Sequence, residues 1–542
     1  MTVVLETSRC TGFTGTAGLI RFALRRDRVV LPLWLSGLTL LGVYFATAIP
    51  QLYPTDADLR GVGRFSQGVT GALVAGPGYG FTDPTVESVV VGLYGLYFLV
   101  LAGLLNIQLI ARHTRAEEQT GRAELLRSNV VGRYAQLTAA LSVAVAVNVA
   151  LALAISSVFV LTGLDTSGAL LFGAGIGAAG LVFAGLAAVT VQITEYSRAA
   201  TGLAGAALGV AYVVRAAGDS IQAGGSTLSW FSPLAWSQQT RAYVEPRWWP
   251  LALSVTCAAI AAGLSYALLS RRDLNAGLIA PRRGPAYAPQ WLNSTVALAY
   301  RLQRAGLIGW SAGLVATGLL YGGLTRSLLR SFDELPGNVV EVMGGDPDRM
   351  IDGYLSTMSF LDALLVTIFV ILGVQGLRRE ESRGYAEPVL AAGAGRGAWF
   401  GSWMGVLAAG AAALLFLNGA ALGVAAAVAL GDSGYIPKVV AAHMVYLPAV
   451  LVVLGLAAVL FGMFPRLIGV VWAVFGLALV LGLFGSIMRP PQWVVDLSPF
   501  EHVAGLPLES VRWSPLLVLA LLAATLLAIG GGGFRRRDLD SK

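Results

Sequence analysis

The residues of this chain whose types could do chemistry lie in two clusters of carboxylates. Each cluster has two adjacent glutamates, then a glycine, a third glutamate and an arginine, in the same order and at the same spacing. The clusters are Glu117, Glu118, Gly121, Glu124 and Arg133, and Glu380, Glu381, Gly384, Glu387 and Arg396. Corresponding residues are separated by 263 positions. Paired carboxylates can bind a divalent metal, exchange protons with a substrate, or attract the basic groups of a partner.

Catalysis by these carboxylates is not supported by their surroundings. Metal–pyrophosphate chemistry on lipid-linked substrates uses acids at Asp-x-x-x-Asp spacing, which neither cluster has. The three histidines, His113, His443 and His502, are far apart in sequence, and Cys10 and Cys257 are the only cysteines. Neither a zinc site nor a disulfide framework can be built from them. We predict no catalytic residue, no metal site and no cofactor in this chain, which is therefore not expected to be an enzyme.

The elements that must position the clusters are apolar helices. Hydrophobic residues make up 56% of the chain and charged residues 12%, against about half and about a quarter in soluble domains. Uncharged runs reach the roughly 20 residues that cross a bilayer core, where only a helix satisfies the backbone amides. We predict an all-α integral membrane protein with spans at 29–49, 88–111, 135–161, 168–193, 199–217, 249–270, 306–325, 353–376, 399–430, 438–463, 467–487 and 514–533. The fifth span is short, because sixteen uncharged residues separate Arg198 from Arg215.

The distribution of charge orients the spans. Twelve spans put both termini on one side, and with that side inside, the inner segments hold 26 of the 37 Lys and Arg residues. The outer loops hold most of the acids, including Asp56, Asp58, Asp83, Asp333, Glu334, Asp346 and Asp348. By the positive-inside rule we predict a multi-pass protein of the plasma membrane with cytoplasmic N- and C-termini. The net charge of +7 then faces anionic lipid, so membrane lipid is a predicted partner and nucleic acid is not.

Further landmarks recur at nearly the same offset as the clusters. Ser232-Pro233 returns as Ser498-Pro499 after 266 positions, and Arg271-Arg272-Asp273-Leu274 returns as Arg536-Arg537-Asp538-Leu539 after 265. We predict two six-span permease halves, 1–275 and 296–542, in parallel topology because six spans restore the starting side. The stretch 276–295, rich in Pro, Gly and Arg, is predicted to be a cytoplasmic linker.

Amphipathic segments precede the first span of each half. Arg21, Arg25 and Arg28 share one helical face in the first half, and Arg301 and Arg304 occupy the second segment. Such segments lie along the inner membrane surface, as simple anchors or as contacts for a partner. Because the arginines up to Arg28 precede a full-length span, the N-terminus does not have the pattern of a cleavable signal.

The two Ser-Pro pairs have the residue types that begin a helix. Ser232 and Ser498 can cap free backbone N–H groups, and proline is tolerated at the first helical position. We predict a short outer helix at each pair, with an ordinary turn as the alternative.

The chain has no P-loop with which to bind ATP. That loop requires Gly-x-x-x-x-Gly-Lys-Ser/Thr, and the two lysines, Lys438 and Lys542, have no such context. If ATP drives a transporter built on this chain, the ATPase is a separate polypeptide. The two acidic loops are then its natural docking points.

The loops also resemble those of a known family. They read Arg115-Ala-Glu117-Glu118-Gln-Thr-Gly121-Arg-Ala-Glu124-Leu125-Leu126 and Arg378-Arg379-Glu380-Glu381-Ser-Arg383-Gly384-Tyr385-Ala386-Glu387-Pro388-Val389-Leu390. This order resembles the loop between the second and third spans of ABC exporter permeases of the second type (ABC-2). The fused twelve-span form resembles, more narrowly, the actinobacterial permeases grouped as polyketide-antibiotic exporters of the tetronasin-resistance type.

The resemblance implies an ATP-driven exporter of drugs or antibiotics. Each loop would form a short coupling helix on a separate ABC ATPase subunit, present in two copies per chain, which binds ATP and Mg. All ten cluster residues would then couple the permease to its ATPase. Substrates would be small amphipathic or apolar compounds that are moved out of the cell. Pro388 stands where the first copy has Leu125, and it would shorten or kink the second coupling helix.

Six side chains within the spans are candidates for the substrate path: Tyr94, Tyr97, Phe98, Asn106, Asp362 and Phe369. The aromatic rings could line a cavity between the halves or simply pack. Asp362 is the one acid well inside a span, and its counterpart at the repeat offset is Leu99. An acid in lipid is costly, so Asp362 either helps to bind substrate or makes a structural hydrogen bond.

A proton-driven secondary drug transporter is the alternative, since twelve spans in two parallel halves fit it as well. Against this alternative, the loop after the second span lacks the Gly-x-x-x-Asp-Arg pattern of that superfamily. Asp362 is also the only plausible proton carrier inside a span.

Overall fold

The computed structural model describes residues 12–67, 71–72, 75–128, 131–222, 224–273, 275–280, 284, 286–326, 347–488 and 490–539. Cys10, Asp333, Glu334 and Asp346 lie outside these residues, as does part of the predicted linker. All regular elements in the described residues are helices, which confirms the predicted all-α fold. The chain divides into two compact units, Met1–Gly284 and Pro285–Lys542, and the division falls inside the predicted linker.

The helices of the first unit alternate between long apolar spans and short connecting pieces. In chain order they are α1 Thr16–Arg26, α2 Val30–Leu52, α3 Asp56–Gln67, α4 Val86–His113, α5 Arg115–Gln119, α6 Arg122–Arg127, α7 Ala135–Leu161, α8 Thr166–Ile193, α9 Ser197–Ile221, α10 Pro233–Gln238 and α11 Trp249–Leu269. A 3₁₀ turn at Thr227–Phe231 precedes α10.

The second unit has the same alternation. Its helices are α12 Thr295–Gly323, α13 Pro347–Ser382, α14 Ala386–Ala391, α15 Arg396–Leu430, α16 Tyr435–Met444, α17 Leu447–Met463, α18 Val471–Met488, α19 Gln492–Val495 and α20 Trp513–Arg536. A 3₁₀ turn at Pro465–Val470 joins α17 to α18. The tenth predicted span is thus two helices, α16 and α17, which meet at Val445 and Tyr446.

Twelve helical segments in the described residues are long and apolar enough to cross a membrane, as predicted. The short fifth span is a regular helix of 25 residues, α9, because it continues through Arg215. That guanidinium is fully buried and pairs with Asp219 one turn later, with 3.4 Å between Nη1 and Oδ2. An i,i+4 partner lets the helix carry a charge at that depth.

One helix lies at the centre of each unit. In the first unit α8 is the most buried span, and it packs against α4, α7, α9 and α11. Its run of Gly173, Gly175 and Gly177 allows this close approach, since a Cβ on Gly173 would lie 2.5 Å from the backbone oxygen of Ala152. In the second unit the tenth span is the most buried, and its helix α17 packs against α13, α15, α18 and α20.

The two amphipathic segments differ in structure. In the first unit α1 is a separate helix, which ends before Asp27 and is followed by the first span. In the second unit residues 295–304 do not form a separate helix, because they continue directly into the seventh span as α12. Ser294 caps this single helix of 29 residues, and no proline or acid interrupts it.

The two Ser-Pro pairs also differ. Ser232 accepts a hydrogen bond from the backbone N–H of Leu234 and caps α10, which confirms the first predicted helix. The second prediction is wrong: residues after Ser498 form turns, and the short helix in this region is α19, which ends at Val495.

Candidate functional site

The first acidic loop consists of two short helices joined at a glycine. The second span continues into α5, which carries Glu117 and Glu118, and α6 follows with Glu124. Gly121 joins them in a left-handed conformation, with φ of +72°. Its N–H donates to the carbonyl of Glu118 at 3.0 Å, and its own carbonyl accepts from the N–H of Glu124 at 3.2 Å. Only glycine adopts this backbone freely, so the loop turns here.

The second loop repeats this backbone geometry. Gly384 has φ of +74°, donates to the carbonyl of Glu381 at 2.9 Å and accepts from Glu387 at 3.2 Å. The expected shortening of the helix by Pro388 is wrong, because α14 has six residues, as α6 does. Pro388 occupies the third position of α14, where a backbone N–H has no partner within the helix, so the proline costs little.

Within the first unit, Glu118 is buried between two arginines. Its Oε2 lies 2.7 Å from Nη1 of Arg115, three residues earlier. Arg272, which follows the end of α11, reaches Oε1 at 2.6 Å and Oε2 at 2.9 Å. Arg272 also donates from Nε to the side-chain oxygen of Gln192 at 2.6 Å. The carboxylate therefore ties the loop to the end of the last span of its unit.

Within the second unit, Glu381 is held in the same way. Arg537, which follows α20, donates from Nη1 and Nη2 to the two carboxylate oxygens at 2.5 Å and 2.8 Å. Arg378, three residues before Glu381, lies 3.1 Å from Oε2. The guanidinium of Arg537 also lies over the rings of Phe461 and Phe534, 5.1 Å from each centroid. Such forked, charge-assisted hydrogen bonds are stronger than neutral ones.

The arginine of each cluster makes a second connection to the same last span. Arg133 donates from Nη2 to the carbonyls of Leu269, Ser270 and Arg272 at 3.0, 3.1 and 2.9 Å. Arg396 donates to the carbonyl of Arg537 at 2.8 Å. The last carbonyls of a helix have no partner within it and carry partial negative charge, so a guanidinium stabilises them.

The remaining cluster carboxylates have different surroundings. Glu117 is buried and pairs with Arg26 at the end of α1. Burial and the nearby positive charges of Arg112 and Arg122 lower the pKa of Arg26 from its usual value. Glu380 is half-exposed, and the other two, Glu124 and Glu387, are exposed. Prominent exposed side chains next to them are Leu125, 70% exposed, and Tyr385, 57% exposed.

Comparison with known proteins identifies the family. The family described as multidrug efflux system permease Rv1217c, C-terminal domain, matches residues 17–269 and 292–535 of this chain. The multidrug efflux system permease protein Rv1217c of Mycobacterium tuberculosis (strain ATCC 25618 / H37Rv) is 36% identical, over 98% of this chain and 96% of that protein. The chain belongs to this family of multidrug efflux permeases. Together with the twelve apolar helices of the described residues, this makes it a multi-pass membrane protein and a transporter rather than an enzyme.

For such a permease, the positions of the aromatic substrate-path candidates matter. Tyr94 stacks on Phe45 with 4.2 Å between ring centroids, and Phe98 is fully buried within the first unit. Phe369 is buried within the second unit. Tyr97, with 49% of its surface exposed, is the one of the six candidates whose side chain is largely accessible.

The polar candidates are both engaged in hydrogen bonds within their own units. Asn106 and Asn148 exchange two side-chain bonds, at 3.0 and 2.7 Å, between the second and third spans. Asp362 lies 3.2 Å from Nε2 of His443, whose Nδ1 lies 3.1 Å from the hydroxyl of Ser359. In this conformation Asp362 thus makes a structural hydrogen bond, which is one of the two roles that the sequence left open for it.

The sequence analysis did not assign a role to the arginines that hold Glu118 and Glu381. They are Arg115, Arg272, Arg378 and Arg537. A signal was present, because Arg272 and Arg537 recur within the repeated Arg-Arg-Asp-Leu landmark and are thus, like the glutamates, duplicated. The buried pair of Arg215 and Asp219 was also missed, although its i,i+4 spacing is typical of an ion pair on a helix.

Proposed function

We propose that this chain is the membrane-spanning permease of an ABC exporter of the second type. A separate ABC ATPase subunit, two copies for each permease chain, binds ATP and Mg and docks on the two acidic loops. Drugs or antibiotics of small amphipathic or apolar character are moved out of the cell. Closure of the ATPase subunits on ATP pushes on the loops, and the permease converts that push into transport.

One observation carries this proposal. In a chain of a multidrug efflux permease family, two loops 263 residues apart have the same helix–glycine–helix backbone. Each ends in a six-residue helix with exposed side chains, as a docking element requires. The duplicated loop favours two equivalent contacts with a partner, and the absence of a P-loop lysine in the sequence favours an external source of ATP energy.

The proposed orientation has both termini and both loops in the cytoplasm of the cell. The excess of Lys and Arg in the corresponding segments, 26 of 37, supports it. Reporter fusions at Lys542 and in the 431–435 segment test it: an enzyme active only in the cytoplasm should work at the first position and fail at the second.

The driving force is tested by reconstitution. The purified chain is placed in liposomes alone, or with a candidate ABC ATPase subunit from the same organism, and efflux of a lipophilic fluorescent dye is followed. We expect dye transport only with both proteins and hydrolysable ATP, and no transport by the chain alone under a proton gradient. Transport by the chain alone, abolished by a protonophore, would show the proton-driven alternative instead.

A further inference from the structure

We infer that Arg272 and Arg537 are positioning residues that fasten each coupling loop to the last span of its own unit. A push on the loop is then delivered to that span. The inference rests on the proposed function, because it assumes that the loops receive force from an ATPase. It goes further in assigning Glu118 and Glu381 to the interior of the permease, with the partner binding the exposed residues beside them.

Burial is the first argument. Glu118 and Glu381 are 5% and 1% exposed, and both oxygens of each carboxylate are bonded to arginines of the same unit. A buried carboxylate whose two oxygens are both bonded to arginines cannot also bind a partner without leaving them. Removing one member of a buried ion pair leaves the other uncompensated, so this rearrangement is strongly opposed.

Distance along the chain is the second argument. Arg272 lies 154 residues after Glu118, and Arg537 lies 156 residues after Glu381. Contacts so remote in sequence have no role in forming the local loop, whose turn is made by its own backbone bonds and glycine. What they do is join the loop to the end of the last span, an element remote from it in the chain.

The third argument is that each loop is fastened at both ends. Glu118 precedes the turn and Arg133 follows it, and both contact the segment 269–272 at the end of α11. Glu381 and Arg396 do the same with Arg537. A loop attached at two points to one helix end moves with that helix as a body.

Exposed side chains are left for the partner. They flank the glycine turn of each loop: Arg122, Glu124 and Leu125 in the first unit, and Arg383, Tyr385 and Glu387 in the second. Apart from Glu124 and Glu387, which correspond, these side chains differ between the units, whereas the glutamate and arginine of the fastening are the same. Partner binding and force transfer are therefore assigned to different residues.

The test measures transport per ATP in the reconstituted complex of permease and ATPase. Glu381→Gln and Arg537→Gln are compared with the wild type and with Glu509→Gln, a control that removes an exposed carboxylate of the same unit at the opposite end of α20 from Arg537. We expect the first two variants to retain the ATPase subunit on purification and to hydrolyse ATP, but to transport at least about fivefold less substrate per ATP. Glu509→Gln should keep the wild-type ratio of transport to hydrolysis.

A charge exchange separates a pairing role from a general loss of stability. Glu381→Arg combined with Arg537→Glu restores opposite charges and should recover part of the transport lost in the single charge reversals. Arg537→Lys keeps the charge but loses the forked geometry, and we expect an intermediate ratio. Because Lys preserves the ion pair, this variant also serves if Arg537→Gln does not fold.

Two results would overturn the inference. One is an unchanged transport-to-hydrolysis ratio in Glu381→Gln, Arg537→Gln and Arg537→Lys. The other is loss of the ATPase subunit from Glu381→Gln while Glu509→Gln retains it, which would place Glu381 at the partner surface. Failure of the proposed function is a different outcome, because the wild-type chain would then show no ATP-dependent transport with the ATPase subunit.

Discussion

The two units are alike at their acidic loops and unlike inside their spans. Each loop has a glutamate held by an arginine from the end of the last span. Within the spans, the first unit has an asparagine pair and a buried Arg215–Asp219 pair. The second has Asp362 with His443, and no charged residue at all between 467 and 488. Duplicated contacts thus persist where the proposed partner acts twice, whereas polar groups in the spans have diverged.

The largest effect that tests this difference is expected from Arg215→Leu. The substitution leaves the carboxylate of Asp219 in an apolar interior with Ser229 as its remaining side-chain partner, 2.6 Å away. Loss of one member of a buried ion pair costs about 3–5 kcal/mol. Thermal unfolding of the purified protein should show a marked fall in Tm.

Adding Asp219→Leu to Arg215→Leu removes the unpaired carboxylate and should restore part of the lost stability. A double variant less stable than Arg215→Leu would contradict this account of the pair. The corresponding position in the second unit carries no charge, so a substitution there should not cause an equivalent loss of stability.

A smaller effect is expected from Asp362→Ala in the second unit. Nε2 of His443 then loses its partner, which for a buried polar group costs about 1–3 kcal/mol. Asn106→Ala in the first unit removes a neutral hydrogen-bonded pair between spans, which contributes about 0.6 kcal/mol on average. The shift in Tm should be larger for Asp362→Ala, and the opposite order would show that the ionisable pair is not the stronger one.

The likeness of the loops is tested at their two glycines. Gly121→Ala and Gly384→Ala force a side chain onto a left-handed backbone, although nothing lies within 4 Å of the added carbon. Each should cost about 1–2 kcal/mol and lower the transport-to-hydrolysis ratio to a similar extent in the two units. Gly202→Ala, in a helix and with equally open space, is the control and should be neutral or slightly stabilising.

The spans and the position of the loops could be predicted from the sequence alone. A run of apolar residues must be a helix in a bilayer, whatever it packs against, so α9 was predicted in spite of Arg215. The predictions that failed concern where helices begin, end or are interrupted. The seventh span absorbs residues 295–304, and the turns after Ser498 replace a predicted helix. Such short-range choices depend on neighbours that a local pattern does not contain.

The same holds for the functional residues, whose positions could be predicted from the sequence but whose surroundings could not. The repeat marked ten loop residues, but their chemical surroundings are not visible in it: Glu118 and Glu124 are six positions apart, one buried and one exposed. Pro388 looked disruptive by residue type, yet its position in the first turn of α14 makes it harmless. In each case burial or position within the helix decided the outcome.

Composition and periodicity were enough to predict helices long enough to cross a bilayer, the polar loops between them, and a motif that occurs twice. Tertiary structure alone decided which arginine each buried glutamate meets, because the two residues are more than 150 positions apart. The physical reason is that the free energy of transferring a segment into lipid depends on that segment's own residues. A buried ion pair, in contrast, forms only where folding brings two segments together and excludes water from both.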